Sequence, residues 1–423
     1  MMFVPSQFFS PTAFLAASVL ALGFSSISTK AAGLTWLLIT LSGVSAWASR
    51  KRFPLPDTPF GLISAQWWLL ACAASLVLMA IPTAYWGGPW PERHPQWRLL
   101  ISALGIWLLL RHGRISTAPW SHLATGAALS LLLALALVLW RGADFAPTNR
   151  IPWVAGLSLL SCTLLALSYQ LKAAPLLLRR FWWLASGMTL GTVVLSGVRG
   201  SWGLLLVWPV AWIWLERGRD RLWHWTPKRL TLLLVVLFGL IWLGNQAIPE
   251  RDRPLNRIAL LLSESGLGST STNPTANSSV GIRIGIYRAG LEQVVSAPSW
   301  LGIGHDQHKL ALKAHVQAIA PDLVKVIGHY HNDALNAWAE LGLLGLLGYL
   351  GVALGVAALA WSSSQTHHMA LRTGFWSVLV MHISTGLSNA NFAHNYYPTM
   401  LAVCVALLLV CGNQQGDRPA EPG

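Results

Sequence analysis

Gly328-His-Tyr-His-Asn-Asp-Ala-Leu-Asn-Ala-Trp-Ala-Glu-Leu-Gly342 passes in one step from a polar segment carrying His329, His331, Asn332 and Asp333 into an apolar helix. It closes the one long polar segment of the chain, and on either side the sequence is built from apolar runs. With 54% hydrophobic residues, 10% charged residues and 24 Trp in 423 positions, a soluble core could not absorb the apolar surface. The expected class is therefore all-α, a polytopic membrane protein. A histidine at the head of such a helix sits where water meets lipid, a place suited to chemistry on a substrate that is half lipid and half water-soluble.

Working outward, the apolar runs are 9–28, 31–48, 61–82, 97–111, 121–140, 151–170, 181–198, 200–215, 230–248, 333–361, 369–388 and 395–412, about 12 transmembrane helices. A spanning helix needs about 17–25 residues, so 97–111 and 200–215 are the shortest fits. Residues 1–10 hold no Lys or Arg and no small-residue cleavage pattern follows, so the first run is expected to be retained rather than removed as a signal. The expected organisation is an N-terminal bundle of about nine spans over 1–248, an outer segment with amphipathic helices over 249–332, about three spans over 333–412, and a tail over 413–423.

The formal net charge of +14 would suggest nucleic acid in a soluble chain. Here the basic residues fall between spans, which is a topology signal and excludes that reading. Placing both termini inside puts Arg50, Lys51, Arg52, Arg111, Arg114, Lys172, Arg179, Arg180, Arg217 and their like in the cytoplasm, and leaves few cations in the short outer loops. Trp residues near span ends fit interfacial anchoring. Cys72, Cys162, Cys404 and Cys411 lie in apolar runs without metal-ligand spacing, so they read as packing residues, and no metal is expected.

Residues 263–281 are small and polar and read as a loop. From Ile282 to Ala297 the pattern suits an amphipathic helix stopped by Pro298, carrying Arg283 and Arg288. Five residues at about 100° each set those arginines roughly 140° apart, while Tyr287 shares the face of Arg283. Residues 306–326 suit helices that lie either on the membrane surface or, as a lid, on the bundle. A second constellation, Leu195-Ser-Gly-Val-Arg-Gly-Ser-Trp202, places Arg199 between two spans, where a cation either serves function or snorkels to headgroups. Guanidinium groups suit phosphate through bidentate contacts, and imidazole suits proton removal from a hydroxyl. A lone histidine at a helix start is more often a cap than a base, so His331 gains weight only from its company. The outer acidic pair Glu250 and Asp252 is interleaved with Arg251 and Arg253, and Asp306, Asp322 and Asp333 are scattered, which argues for arginines rather than a divalent metal at a pyrophosphate. Glu340, seven residues after Asp333, requires a partner if buried and reads first as an anchor for the loop. Asn389, Asn391, His394 and Asn395 fill the last outer loop, where location alone makes them sugar-contact candidates.

Taken in order, Ser196-Gly-Val-Arg199-Gly200, then Arg283-Ile-Gly-Ile-Tyr287-Arg-Ala with Ser296-Ala-Pro-Ser-Trp-Leu-Gly-Ile-Gly304, then His331-Asn-Asp-Ala-Leu335 with Glu340-Leu-Gly342, resemble the O-antigen ligase/polymerase superfamily. Tyr287 stands where many relatives have Trp, and the doublet His329/His331 is resolved toward His331 by the following Asn332 and Leu335. The resemblance implies a GT-C-like, metal-independent, inverting glycosyltransferase of the bacterial inner membrane with a periplasmic site and no cofactor. Its donor would be a glycan on undecaprenyl pyrophosphate, its acceptor a sugar hydroxyl of the lipid A core, and membrane lipids its surroundings. In that frame His331 is the base and Arg199 and Arg283 hold the pyrophosphate. Arg288, Tyr287, Asn332, His329 and Asp333 bind substrate or tune the base, with Asn332 expected to orient His331. O-antigen polymerase and protein O-oligosaccharyltransferase share the donor chemistry; the single long outer segment and short tail favour the ligase. A transporter is disfavoured, because no internal repeat is evident and the candidate charges gather at one face.

Overall fold

A computed structural model describes residues 10–49, 59–87, 96–113, 118–142, 145–217, 279–296, 299–319, 327–365 and 368–412, with single positions 239, 242, 321 and 324. Helices joined by turns make up these residues, with no strand among them. The helices are α1 Pro11–Gly23, α2 Thr29–Ala48, α3 Pro59–Tyr85, α4 Gln96–His112, α5 Ala118–Arg141, α6 Arg150–Gln170, α7 Leu176–Ser196, α8 Leu204–Arg217, α9 Ser279–Ser296, α10 His305–Ile319, α11 Asp333–Gln365, α12 Met369–Ser388 and α13 Tyr396–Gly412. The chain is a multi-pass, all-α membrane protein. Eleven of the expected apolar runs contain a helix; the run 230–248 apart from positions 239 and 242, the acidic pair at Glu250 and Asp252, Asp322 and the tail 413–423 lie outside the described residues, and the expected loop 263–281 is cut short because α9 begins at Ser279, its residues 263–278 lying outside them too. Thr29–Ala48, Leu62–Tyr85, Pro119–Arg141, Arg150–Gln170 and Asp333–Ser363 are long and apolar enough to cross a bilayer on those grounds alone.

The run 9–28 departs from expectation. Its helix ends at Gly23 and the chain turns before Ser28 caps α2. That turn is tied into the bundle: Ser26 N–H donates to Ser130 Oγ at 3.2 Å, and Trp153 Nε1–H donates to the Ser26 carbonyl at 2.9 Å. Backbone polar groups of a turn enclosed among apolar helices persist where protein partners satisfy them, as Ser130 and Trp153 do for the backbone of Ser26.

At the centre stand α6 and α13, buried on nearly every side. Neither has a charged residue beyond Arg150, and their serines and threonines satisfy themselves along the helix or reach a neighbour, as Ser161 Oγ does in donating to the Ser186 carbonyl at 2.8 Å. Small residues set the close approaches between helices, as expected where apolar lipid gives no hydrophobic driving force for association. A Cβ on Gly156 would meet Tyr396 and Met400; one on Gly374 would meet Ala166 and Leu408. Along α11, Gly348, Gly351 and Gly355 face Met79, Ser75 and Ala71 of α3, where Ser75 Oγ donates to the Gly348 carbonyl at 2.5 Å.

Candidate active site

One end of the bundle is shaped by a break in α11. Gly342 adopts φ 68° and ψ −160°, a conformation open in practice to glycine alone, so the helix stops after Leu341 and restarts at Leu343. A broken helix leaves carbonyls and N–H groups without partners. The Ser299–Gly304 turn supplies them: Leu343 and Leu344 N–H donate to the carbonyls of Ser299 (3.0 Å) and Trp300 (3.2 Å), and Gly304 N–H donates to the Glu340 carbonyl (3.0 Å). Backbones approach so closely that a Cβ on Gly302 would collide with the Glu340 and Gly342 backbone, and one on Gly342 with Gly302 and Ser299. Trp86, just past α3, closes the other side by donating Nε1–H to the Leu301 carbonyl at 2.9 Å and packing its ring on Gly304. His305 Nδ1 lies 2.7 Å from Glu340 Oε1, so Glu340 acts as the loop's anchor. Beyond Gly342 the helix runs for roughly 34 Å, sufficient for a span.

Before the break, Leu335, Trp338 and Ala339 join Ile286 and Val294 of α9, Leu312 and Val316 of α10, and Tyr330 in a small core separate from that of the bundle. Of the two readings open for 306–326, this packing supports the lid: α10 turns Leu312 and Val316 inward and leaves Lys309 and Lys313 exposed.

His331 stands between this lid and the bundle. It is the single non-glycine residue with positive φ (53°) among the described residues, a conformation that costs an L-residue roughly 1–2 kcal/mol. Three contacts impose it. The backbone N–H donates to His329 Nδ1 at 3.2 Å, the carbonyl lies 2.9 Å from Tyr287 Oη, and ring Nδ1 lies 3.2 Å from Asn389 Oδ1. Tyr287 Oη is also 3.0 Å from the Leu387 carbonyl. The His329 and His331 rings are 4.4 Å apart, with His394 6.1 Å from His329.

The C-terminal end of α12 is where the separated motifs meet. Leu387 receives Tyr287, Asn389 receives His331, and Ser388 is packed so tightly on the 3-10 turn Arg199–Ser201 that a Cβ on Gly200 would strike its hydroxyl. Arg283, one turn before Tyr287, is near enough for its charge to act on both histidines. Burial first, then the charges of His331, His394, His308 and Arg283, push the His329 imidazole down to about 3. Burial and then Arg283 lower His331, partly opposed by its bond to Asn389. Burial raises the Tyr287 hydroxyl despite Arg283, so it remains a donor. Near neutral pH the pocket thus presents uncharged imidazoles beside a guanidinium.

Other expected residues take different places. Asn332 caps α11, its Oδ1 accepting from Leu335 N–H at 2.9 Å, and does not orient the His331 ring; Asn389, 58 positions downstream, does. Asp333 is buried and accepts Phe392 N–H at 3.0 Å, tying the loop between α12 and α13 to the head of α11. Arg288 lies on the exposed flank of α9, 3.2 Å from Glu292 Oε1, away from the cluster about His331. Among the described residues no set of three His, Cys, Asp or Glu side chains is disposed to hold a metal ion. All four cysteines are free and buried.

Fold and site together define a multi-pass membrane protein with an imidazole and guanidinium cluster under a helical lid at one end of its bundle. Residues 184–350, from α7 through the break in α11, match the family model described as O-antigen ligase. Over that stretch, less than half of the chain, the protein is similar to the O-antigen ligase family, and the likeness is to glycosyltransferase-like membrane enzymes of the ligase/polymerase type. No curated protein matches the chain.

Proposed function

We propose that the protein is an O-antigen ligase of the bacterial inner membrane, with both termini cytoplasmic and its site on the periplasmic face. It transfers a glycan from undecaprenyl pyrophosphate to a sugar hydroxyl of the lipid A core. The observation that carries the reading is the meeting of Arg199's turn, the Arg283–Tyr287 face of α9 and His331 at Leu387–Asn389 of α12.

His331 takes the proton of the acceptor hydroxyl as its oxygen attacks the anomeric carbon. The bond from that carbon to the pyrophosphate oxygen breaks in the same displacement, which inverts configuration. Arg199 and Arg283 stabilise the charge gathering on the departing undecaprenyl pyrophosphate, where planar bidentate contacts outperform lysine. Tyr287 and His329 hold the His331 backbone, and Asp333 holds the loop that brings Asn389. Turnover requires no added divalent metal in this reading.

The test is an assay of purified protein with the lipid-linked glycan and three acceptors: lipid A core, a second lipid-linked glycan, and a peptide, each with and without chelator. Transfer to the lipid A core that survives chelation is expected. Transfer to the second glycan alone would make the protein a polymerase, and a strict metal requirement would overturn the arginine mechanism.

A further inference from the structure

The geometry points to Asn389 as the residue that positions the base, by holding the Nδ1 proton of His331 so that Nε2 carries the lone pair offered to the acceptor hydroxyl. This rests on the reading of His331 as base. An imidazole accepts a proton only at its bare nitrogen, and the partner of the other nitrogen decides which one that is. His331 Nδ1 is turned into the protein, 3.2 Å from an Asn389 that is almost fully buried. Nε2 makes no hydrogen bond among the described residues, so it is the atom left to meet substrate. For Nε2 to be bare, Nδ1 must be protonated, and Asn389 must present its oxygen, since only the carbonyl end of an amide accepts. Asn391 enforces that orientation: Asn389 Nδ2 donates to Asn391 Oδ1 at 3.1 Å, between two side chains that are essentially buried. Asn389 lies 58 positions from His331 and outside the 184–350 match, so the short motif does not contain the group that makes its histidine usable.

Replacement by a carboxylate separates this arrangement from its mirror, in which the amide gives its NH2 to Nδ1. A carboxylate only accepts. Asn389→Asp therefore preserves the tautomer and, by favouring the imidazolium among the neighbours His329, His394 and Arg283, moves the acid limb of the kcat profile up by about one pH unit. Asn389→Leu keeps the volume and loses the acceptor. Its kcat is expected to fall on the order of 10²-fold with donor KM within about twofold, since the group acts through His331 and not on the donor. The tautomer is read directly by nitrogen NMR of labelled histidine in the full-length protein, with His331 assigned by its loss in His331→Ala. The expected result is an Nδ1–H, Nε2-bare ring in the native protein and in Asn389→Asp, and loss of that state in Asn389→Leu. An Asn389→Leu protein that keeps the native tautomer or the native kcat overturns the proposal, as does an Asn389→Asp protein as damaged as Asn389→Leu. The NMR reading needs no glycan transfer, so failure of the native protein to transfer would count against the ligase function alone.

Discussion

Among the described residues His331 alone pairs a side chain with a left-handed backbone, and its neighbours explain why that strain is tolerated. His329 takes its N–H, Tyr287 meets its carbonyl and Asn389 holds its ring, so the left-handed backbone is fixed from three separate parts of the chain. His331→Ala and His331→Asn should both lose transfer by more than about 10³-fold, because neither side chain removes the proton. Their stabilities should differ. Asparagine tolerates positive φ far better than alanine, so His331→Asn should be more stable by about 1 kcal/mol, read as a higher melting temperature in detergent. The sign of the pH dependence follows from burial and then Arg283 lowering His331 below the ordinary imidazole value of 6.5. As the proposed base, His331 works only when neutral, so transfer should hold steady at neutral pH and decline on acidification below that value. Arg283→Gln removes one of the charges that disfavour the imidazolium, and should move this decline to higher pH while also weakening donor handling. An acid limb unmoved in Arg283→Gln would show that the guanidinium does not act on His331.

At the scale of elements, the joint between the Gly302-Ile-Gly304 turn and the break in α11 sets the lid over the site. The sequence marks both sides of this joint with glycine, but nothing local says that they touch, because the contact joins positions 40 apart through backbone atoms. The same holds for Glu340, whose burial in an apolar helix demands a partner without naming His305. Local reading placed the helix α9, its end before Pro298 and Arg283 with Tyr287 on one face, but not the helix's buried side, since Leu291 and Val295 of the expected apolar stripe are exposed. It failed for Asn332, where a side chain beside His331 proved to cap its own helix, and it singled out Asn389 by location without seeing that it reaches His331, which happens only because α12 ends at that level. The joint predicts a sharp asymmetry among glycines of one helix. Gly342→Ala should destabilise by roughly 3 kcal/mol or more and abolish transfer, since it adds a strained conformation to a backbone collision. Gly351→Ala should be tolerated, because a Cβ there meets Ser75 at 3.6 Å, an ordinary contact. Melting temperature and transfer measured on the pair would decide it, and equal tolerance would mean that the turn does not depend on the break.

For the whole molecule, hydropathy identified the class because the runs together carry more apolar surface than a soluble core could absorb, but it could not order the helices in space. Helices α6 and α13 are apolar all round and so are many of the others, so no stripe of polar residues reveals which pair is enclosed; small residues facing bulky ones decide that, and those pairings are distant in sequence. Sidedness is a different matter, since it rests on where arginine and lysine fall between spans. It can be tested without rebuilding the protein. All four native cysteines are free and buried, so the unaltered chain should be silent toward a membrane-impermeant maleimide. Lys313 is exposed on α10, and Lys172 is exposed in the turn between α6 and α7, so either can carry a single reporter cysteine. In cells whose outer membrane has been opened, Lys313→Cys should label readily, whereas Lys172→Cys should label only after the inner membrane is broken. Because α10 packs against Tyr330, the neighbour of His331, labelling in the reverse pattern would move the imidazole cluster to the cytoplasmic face, where a lipid A core acceptor delivered on the outer side could not reach it.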